Sequence, residues 1–246
     1  MDACWFEQTE LDVPAENQWL SAGEKLCLRG LRFPKRRADW RLGRWTAKCA
    51  VAAYLDLPCD LSTLADIEIR AAASGAPQAF LLNQEAPLAI SLSHRDGTAL
   101  CGVAPPGTSL GCDLELIEPR SDAFVADYFT ASERALVEQA SANERHVLIT
   151  LLWSAKESAL KALHAGLRLD TNSVEVSLVG GLSDQNEDVW GPLHVRYSGA
   201  QLFSGWWRSD DQFVRTVVSN PSPNSPRRLP QPSQSLAEAQ PLLLAR

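Results

Sequence analysis

Two copies of one short pattern constrain the fold of this chain more than any other feature. Ser21-Ala-Gly-Glu24 is followed 24 residues later by Trp45-Thr-Ala-Lys48, and Thr130-Ala-Ser-Glu133 is followed 23 residues later by Trp153-Ser-Ala-Lys156. Ser/Thr-x-x-Glu is the capping box that begins a helix, and sheet-like sequence follows each copy. We interpret the pattern as an internal duplication of one α+β unit.

The duplication predicts an α+β protein with two similar halves. Residues 1–107 form the first half and residues 108–219 form the second half. Residues 220–246 are rich in Pro, Ser and Gln, a composition that predicts a disordered tail.

Local patterns place the individual elements. A helix is expected from Pro34 to about Leu55, and another covers LLWSAKESALKAL and ends near His164. Asp96-Gly97 predicts a tight turn between two strands within 88–104. Further strands are expected at 109–117, 173–179, 193–198, 201–207 and 212–219.

Composition and charge exclude several classes of protein. The formal net charge of −7 argues against a general nucleic-acid binder. The first residues do not read as a secretory signal, and no apolar run reaches the roughly 18 residues of a membrane span. The six cysteines are scattered without metal-ligand spacing. We therefore expect a cytoplasmic protein with reduced thiols and no membrane contact.

A basic segment interrupts the acidic chain. Residues 25–48 hold nine basic side chains against one acid, Asp39. Arg37, Arg41, Arg44 and Lys48 recur at helical spacing and predict one basic stripe. Such a stripe suits a bound polyphosphate, and a solvated basic helix is the alternative.

Three carboxylates predict an oxygen-rich site. In SLGCDLELI the alternation of a strand places Asp113 and Glu115 on one face, about 7 Å apart. Glu157 could supply a third carboxylate from a helix, and carboxylates with substrate phosphates are ligands that Mg²⁺ prefers. For the two strand residues alone, a solvated polar face is the alternative.

Glu157 and Lys161 stand four residues apart, the spacing of a common helix-stabilising pair. In the duplicated pattern their counterparts are Cys49 and Ala53, so the pair is not a shared requirement of the scaffold. This difference favours a functional pair.

The motifs together resemble a known family. SLSH at 91–94, GCDLELIEPR at 111–120, FTASE at 129–133 and WSAKESALK at 153–161 resemble the 4′-phosphopantetheinyl transferases. Their order is similar to the large single-chain type that activates surfactin synthetase, over about residues 15–219. The resemblance implies two α/β halves related by pseudo-twofold symmetry, and a monomer suffices because one chain holds both halves.

The resemblance also implies a reaction and its residues. Coenzyme A would donate its phosphopantetheine arm to a serine of an apo acyl or peptidyl carrier protein. Mg²⁺ would be bound by Asp113, Glu115 and Glu157. Lys161 would lie beside the transferring phosphate, with Asp113, Glu157 and Lys161 as the catalytic group. The contacts to coenzyme A would come from Arg37, Arg44, Ser93, His94, Asp113 and Lys161. Glu157 is the expected general base, directly or through a metal-bound water, with Asp113 and Glu115 as the alternatives.

One position departs from the family pattern. Gly75-Ala76-Pro77 stands where members often carry Gly-Lys-Pro or Gly-Arg-Pro. A contact is therefore missing, or another residue supplies it, for which an arginine of the basic helix is a candidate.

Other classes of function stay open at this point. The chain could be a non-catalytic paralogue that binds coenzyme A or a carrier protein. It could be a nucleic-acid module that uses the basic helix, or another Mg²⁺-dependent phosphotransferase. The sequence does not show which carrier protein is served.

Overall fold

Three sheets and six helices organise the part of the chain that the structure describes. The structure is a computed structural model that describes residues 2–165, 168–182, 189–198 and 201–231. Its first part contains β1 (Cys4–Thr9), α1 (Ala22–Gly30), α2 (Pro34–Tyr54), α3 (Leu61–Asp66), β2 (Ile67–Ala71), β3 (Pro77–Leu81), β4 (Gln84–Glu85), β5 (Ala89–Arg95) and β6 (Thr98–Ala104).

The second part continues with β7 (Ser109–Leu116), α4 (Asp122–Tyr128), α5 (Ala131–Gln139), α6 (Arg145–Ala162), β8 (Val174–Leu178), β9 (Gly191–Tyr197), β10 (Leu202–Ser209), β11 (Phe213–Asn220) and β12 (Arg227–Arg228). The predicted mixture of helices and sheets is confirmed. So is the turn at Asp96-Gly97, where both residues have positive φ between the paired strands β5 and β6. Among the described residues, none of the helices combines the length and hydropathy that crossing a membrane requires.

The sheets divide between the two parts of the chain. One sheet has the order β12-β1-β6-β5, a second has the order β7-β11-β10-β9-β8, and a small third sheet joins β2, β3 and β4. Helix α2 packs in the hydrophobic core of the first part, and α6 packs in that of the second. A third cluster of apolar side chains from β1, β6, β7 and β11, with Trp5 and Leu114 among them, joins the two parts.

A buried ion pair recurs at the duplicated pattern. Glu24, in the capping box of α1, contacts the ammonium of Lys48 in α2 and accepts a hydrogen bond from the backbone N of Ile69. Glu133 and Lys156 lie 2.8 Å apart in the second part, and Glu133 accepts from the backbone N of Val176. All four charged side chains are almost fully buried.

Each buried lysine also bonds to the backbone. The Nζ of Lys48 donates to the carbonyls of Trp19 and Leu64. The Nζ of Lys156 donates to the carbonyls of Thr171 and Val174. Burial lowers the pKa of both lysines, and the paired glutamates oppose this shift. The same buried ion pair therefore links the start of one helix, a long helix and a strand in both parts of the chain.

The ordered fold extends past the predicted boundary at residue 220. Strand β12 pairs with β1 in parallel, and the backbone N of Leu229 donates to the carbonyl of Trp5. Leu229 is buried in the first core. A Pro/Ser-rich composition does not reveal this pairing because the free edge of β1 supplies the partner. Residues 232–246 of the predicted tail lie outside the described residues.

Strand β7 approaches α6 unusually closely at Gly111. A Cβ added to Gly111 would lie 1.8 Å from the carbonyl oxygen of Ser158 and 2.7 Å from its carbon. Only glycine permits this approach because it has no side chain. The face of β7 that was predicted to be either solvated or functional is therefore covered by the helix that carries Glu157 and Lys161.

Lys156→Met should destabilise the fold by about 3–5 kcal/mol, because it leaves Glu133 buried without its counter-ion. Urea unfolding followed by circular dichroism measures the change. The matched control is Arg196→Met, which breaks an exposed pair with Glu175 and should cost less than about 1 kcal/mol. Equal losses for the two variants would contradict the structural role of the buried pair.

Gly111→Ala should destabilise the fold by about 1–3 kcal/mol or more, because the added methyl group must push α6 away from β7. Gly43→Ala in α2 is the control, since a Cβ there would meet no atom within 4 Å and alanine favours a helix. Thermal unfolding of both variants would show opposite shifts. A Gly111→Ala protein as stable as the parent would rule out the close approach.

Candidate active site

Asp113 of β7 is the centre of a polar cluster between the two parts of the chain. Its side chain is 5% exposed, and its Oδ1 accepts hydrogen bonds from Lys161 Nζ at 2.7 Å and Ser93 Oγ at 2.8 Å. Its Oδ2 is buried and has no hydrogen-bond partner among the described residues. Burial of a carboxylate oxygen without a partner costs desolvation free energy, which a bound cation or hydrogen-bond donor at this atom would offset.

Lys161 of α6 is fixed over β7 by two contacts. Its Nζ donates to the carbonyl of Cys112 at 3.0 Å as well as to Asp113. Burial alone would lower the pKa of Lys161, but Asp113 and, more weakly, Glu157 raise it above its ordinary value. Lys161 is therefore held as an ammonium ion at the edge of the cluster, with 26% of its side chain exposed.

Glu157 lies one turn before Lys161 and has no hydrogen bond or ion pair within the described residues. Burial, with the neighbouring charges of Asp113 and Glu115, raises its pKa to about 7, and Lys161 partly opposes the shift. Burial is the larger cause of the shift, and the negative charges of Asp113 and Glu115 add to it. Glu157 can therefore accept a proton near neutral pH.

Glu115 is more fully engaged than the other two carboxylates. Its Oε1 accepts from Trp153 Nε1 at 3.0 Å, and its Oε2 lies 3.3 Å from Arg120 and 3.9 Å from Arg95. Burial and Asp113 nevertheless raise its pKa. Both arginines also contact Glu118, so Glu115 belongs to a network of opposite charges beside the cluster.

The donor chemistry of the cluster fits a divalent cation. Asp113 Oδ2 and the Glu157 carboxylate have no partner among the described residues, and positive charge would relieve their mutual repulsion. Among the described residues, however, no group of three or more His, Cys, Asp or Glu side chains already has a metal-binding arrangement. Glu115 could act as a third ligand through the lone pairs that its contacts with Trp153 and Arg120 leave free.

Two neighbouring clefts open beside the cluster. A cleft of about 490 Å³ is lined by Ser93 and His94 together with Arg36, Arg44 and Arg70. A second cleft of about 520 Å³ is lined by Lys161, His164 and Arg168. The clefts share Gly75, Pro77 and Leu92, so cationic side chains line both sides of the same loop.

The basic stripe of α2 is directed mainly into the protein. Arg37 donates to the carbonyls of Leu28 and Leu31 and so caps the end of α1. Arg41 donates to the carbonyls of Pro14 and Ala15. The expectation of a phosphate-binding stripe is wrong for Lys48, which is fully buried against Glu24.

Arg44 is the member of the stripe that lines a cleft. Its guanidinium stacks 4.9 Å from the centre of the Trp40 ring and lies 4.0 Å from Glu24. Spacing alone identifies which residues share a helix face, but it does not show whether that face meets solvent or backbone carbonyls.

The structure thus brings Asp113, Glu157, Lys161 and Ser93 into one cluster and places Arg44 and His94 along the adjoining cleft. Sequence reasoning did not identify Arg95, Arg120 and Trp153, which contact Glu115, or Arg168 in the second cleft. Arg120 lies in the quoted GCDLELIEPR motif, so the motif already contained a signal for it. Arg168 lies beyond any motif.

Comparison with known proteins gives a match to a family model. No curated protein matches the chain significantly. Residues 109–215, less than half of the chain, match the family model described as the 4′-phosphopantetheinyl transferase superfamily. The matched range begins at β7 and includes Asp113, Glu115, Glu157 and Lys161. The acidic cluster and its lysine therefore lie in the part of the chain that is similar to this superfamily.

Proposed function

We propose that this chain transfers the 4′-phosphopantetheine arm of coenzyme A to a serine of an apo acyl or peptidyl carrier protein and releases adenosine 3′,5′-bisphosphate. The observation that carries the proposal is the position of Asp113. Its side chain is buried, its Oδ1 accepts a hydrogen bond from Lys161, and its Oδ2 has no partner among the described residues. It also lies near Glu157 and beside two clefts that cationic side chains line. This arrangement suits the transfer of a phosphoryl group from a polyanionic donor.

The large single-chain architecture is part of the proposal. The equivalent pairs Glu24–Lys48 and Glu133–Lys156, with matching backbone bonds to Ile69 and Val176, support two halves related by pseudo-twofold symmetry. The acidic cluster occurs in the second half. A single chain would then supply both walls of the site, which is consistent with a monomer.

Magnesium is the proposed metal, and Asp113 and Glu157 are its first protein ligands, with Glu115 as a third. When bound, the ion would neutralise charge on the diphosphate of coenzyme A and on the leaving bisphosphate. Asp113 offers Oδ2 because its Oδ1 is already held by Ser93 and Lys161. Glu115 would contribute through a lone pair that its contacts with Trp153 and Arg120 leave free.

Side chains of this protein accept the proton of the attacking serine and stabilise the negative charge on the phosphoryl oxygens. The serine oxygen of the carrier attacks the β-phosphorus, and the bond from that phosphorus to the leaving bisphosphate breaks. Glu157 accepts the serine proton as the general base. Lys161 donates hydrogen bonds to phosphoryl oxygens and stabilises their charge. Ser93 and Lys161 keep Asp113 in place.

Coenzyme A would lie along the two clefts. Ser93, His94 and Arg44 line one of them and Lys161 the other, so these residues are the proposed contacts. Arg37 is also an expected contact, but both of its hydrogen bonds go to the end of α1. We therefore propose Arg36, which lines the same cleft as Arg44, in its place.

Incubation with coenzyme A, Mg²⁺ and a panel of apo carrier proteins, followed by intact-mass spectrometry, tests the reaction. We expect one phosphopantetheine arm per carrier. Glu157→Gln should reduce turnover by about 10²–10⁴-fold through loss of the base. Lys161→Met should reduce it by about 10²–10³-fold through loss of charge stabilisation.

Two further variants show whether the loss of turnover is specific to Glu157. Glu115→Gln should reduce turnover less than Glu157→Gln, because Glu115 is already paired with arginines. Glu138→Gln, on the exposed face of α5, should match the parent. Coenzyme A binding without any transfer across the panel would favour the non-catalytic binder instead.

The pH dependence of stability tests the environment of Glu157 without an activity assay. Its pKa is raised from 4.5 to about 7 in the folded protein, so the protonated form is favoured by folding. In chelator, the corresponding stability is complete below about pH 4.5 and is lost as the pH rises through about 7. Glu157→Gln should therefore lack this loss and be more stable than the parent above pH 7.

Urea unfolding of both proteins at a series of pH values measures the difference. The difference in the free energy of unfolding between the two proteins should grow from about pH 4.5 to about pH 7 and stay constant above that range. Parallel curves would show that Glu157 is not in an acidic, buried environment.

A further inference from the structure

Arg168 is a cationic side chain of the second cleft that the proposed chemistry has not used. It follows α6 and lines the cleft of about 520 Å³ together with Lys161 and His164. The opposite wall is the loop of Ser74, Gly75, Ala76 and Pro77. Arg168 therefore faces, from the second part of the chain, a loop that belongs to the first part.

Two hydrogen bonds fix the guanidinium across the cleft. The Nε of Arg168 donates to the carbonyl of Ala165 at 3.1 Å, and its Nη2 donates to the carbonyl of Ser74 at 2.5 Å. A guanidinium has five N–H donors, so these bonds leave most of its donors free. The side chain is therefore held in place and still has N–H groups that can donate to a ligand.

Arg168 also differs in charge balance from three cationic side chains of the two clefts. Lys161 is paired with Asp113, Arg70 with Glu68 and Arg44 with Glu24. Within the described residues Arg168 has hydrogen bonds to carbonyl groups only and no carboxylate partner. Its positive charge is therefore uncompensated in a cleft, where it can attract an anion.

We propose, on the basis of the proposed function, that Arg168 binds the diphosphate of coenzyme A. The diphosphate is the anionic group that contains the reacting phosphorus, and Lys161, the proposed contact of that phosphorus, lines the same cleft. Arg168 suits this role because its planar fork can donate two parallel bonds to phosphate oxygens. It also supplies the positive charge that Ala76 does not, from the second part of the chain and not from α2.

A merely structural role, in which Arg168 ties the loop to the second part of the chain, predicts a different pattern of variants. Arg168→Gln keeps a side-chain N–H donor for the Ser74 carbonyl but removes the charge. Arg168→Lys keeps the charge. Arg196→Gln removes an exposed arginine of β9 outside both clefts, and so controls for net charge.

Titration calorimetry with coenzyme A and with 3′-dephospho-coenzyme A tests the proposal. Arg168→Gln should weaken the binding of both ligands by about tenfold to a hundredfold, as expected for a lost charged hydrogen bond. Arg168→Lys should lose less, and Arg196→Gln should match the parent. The slope of log affinity against log salt should also decrease in Arg168→Gln alone.

Three results would overturn the proposal. Unchanged binding by Arg168→Gln would show that the side chain does not contact the ligand. Equal losses for the Gln and Lys variants without a change in salt dependence would show a role in holding the loop. A loss seen with coenzyme A but not with its dephospho form would assign Arg168 to the 3′-phosphate. If the parent protein bound neither ligand, the proposed function itself would fail.

Discussion

The close contact between β7 and α6 is the constraint on which the site depends. Gly111 lets the strand lie against the carbonyl of Ser158, and the next residue on the same face of the strand is Asp113. The helix turn that begins at Ser158 carries Lys161, whose ammonium reaches both the Cys112 carbonyl and the Asp113 carboxylate. A wider separation would leave Asp113 buried without its lysine, an arrangement that the desolvation of a carboxylate would make unstable.

The duplicated pattern separates the scaffold from the chemistry. Glu24–Lys48 and Glu133–Lys156 occupy equivalent places and are fully buried, so they hold a helix start, a long helix and a strand together in both parts. One residue after Lys156 stands Glu157, whereas one residue after Lys48 stands Cys49, which is buried in the first core. The equivalent position therefore packs in the core in one copy and carries a half-buried carboxylate of the acidic cluster in the other.

Sequence patterns predicted the elements well because their determinants are local. The capping boxes and the Asp96-Gly97 turn depend on neighbouring residues, and the structure contains each of them. The prediction of a phosphate-binding stripe on α2 was wrong at Lys48, because only the packing of α1 against α2 shows that Glu24 is its partner. Likewise, β12 depends on the free edge of β1, and the contact of Arg168 with Ser74 joins residues far apart in the chain. These long-range pairings have no signal in a window of sequence.

Charge distribution explains how one small region can favour both a cation and a polyanion. Within the part of the chain that the structure describes, Asp113 and Glu157 retain oxygen atoms without partners, whereas the charge of Glu115 is balanced by Arg95 and Arg120. The uncompensated negative charge is thus concentrated where the middle of β7 packs against α6, and cationic side chains line the clefts around it. A phosphate group drawn into either cleft approaches that cluster from the cationic side. Under the proposed function, a divalent cation between the phosphate and the carboxylates would relieve their repulsion, so binding of donor and metal should be mutually reinforcing.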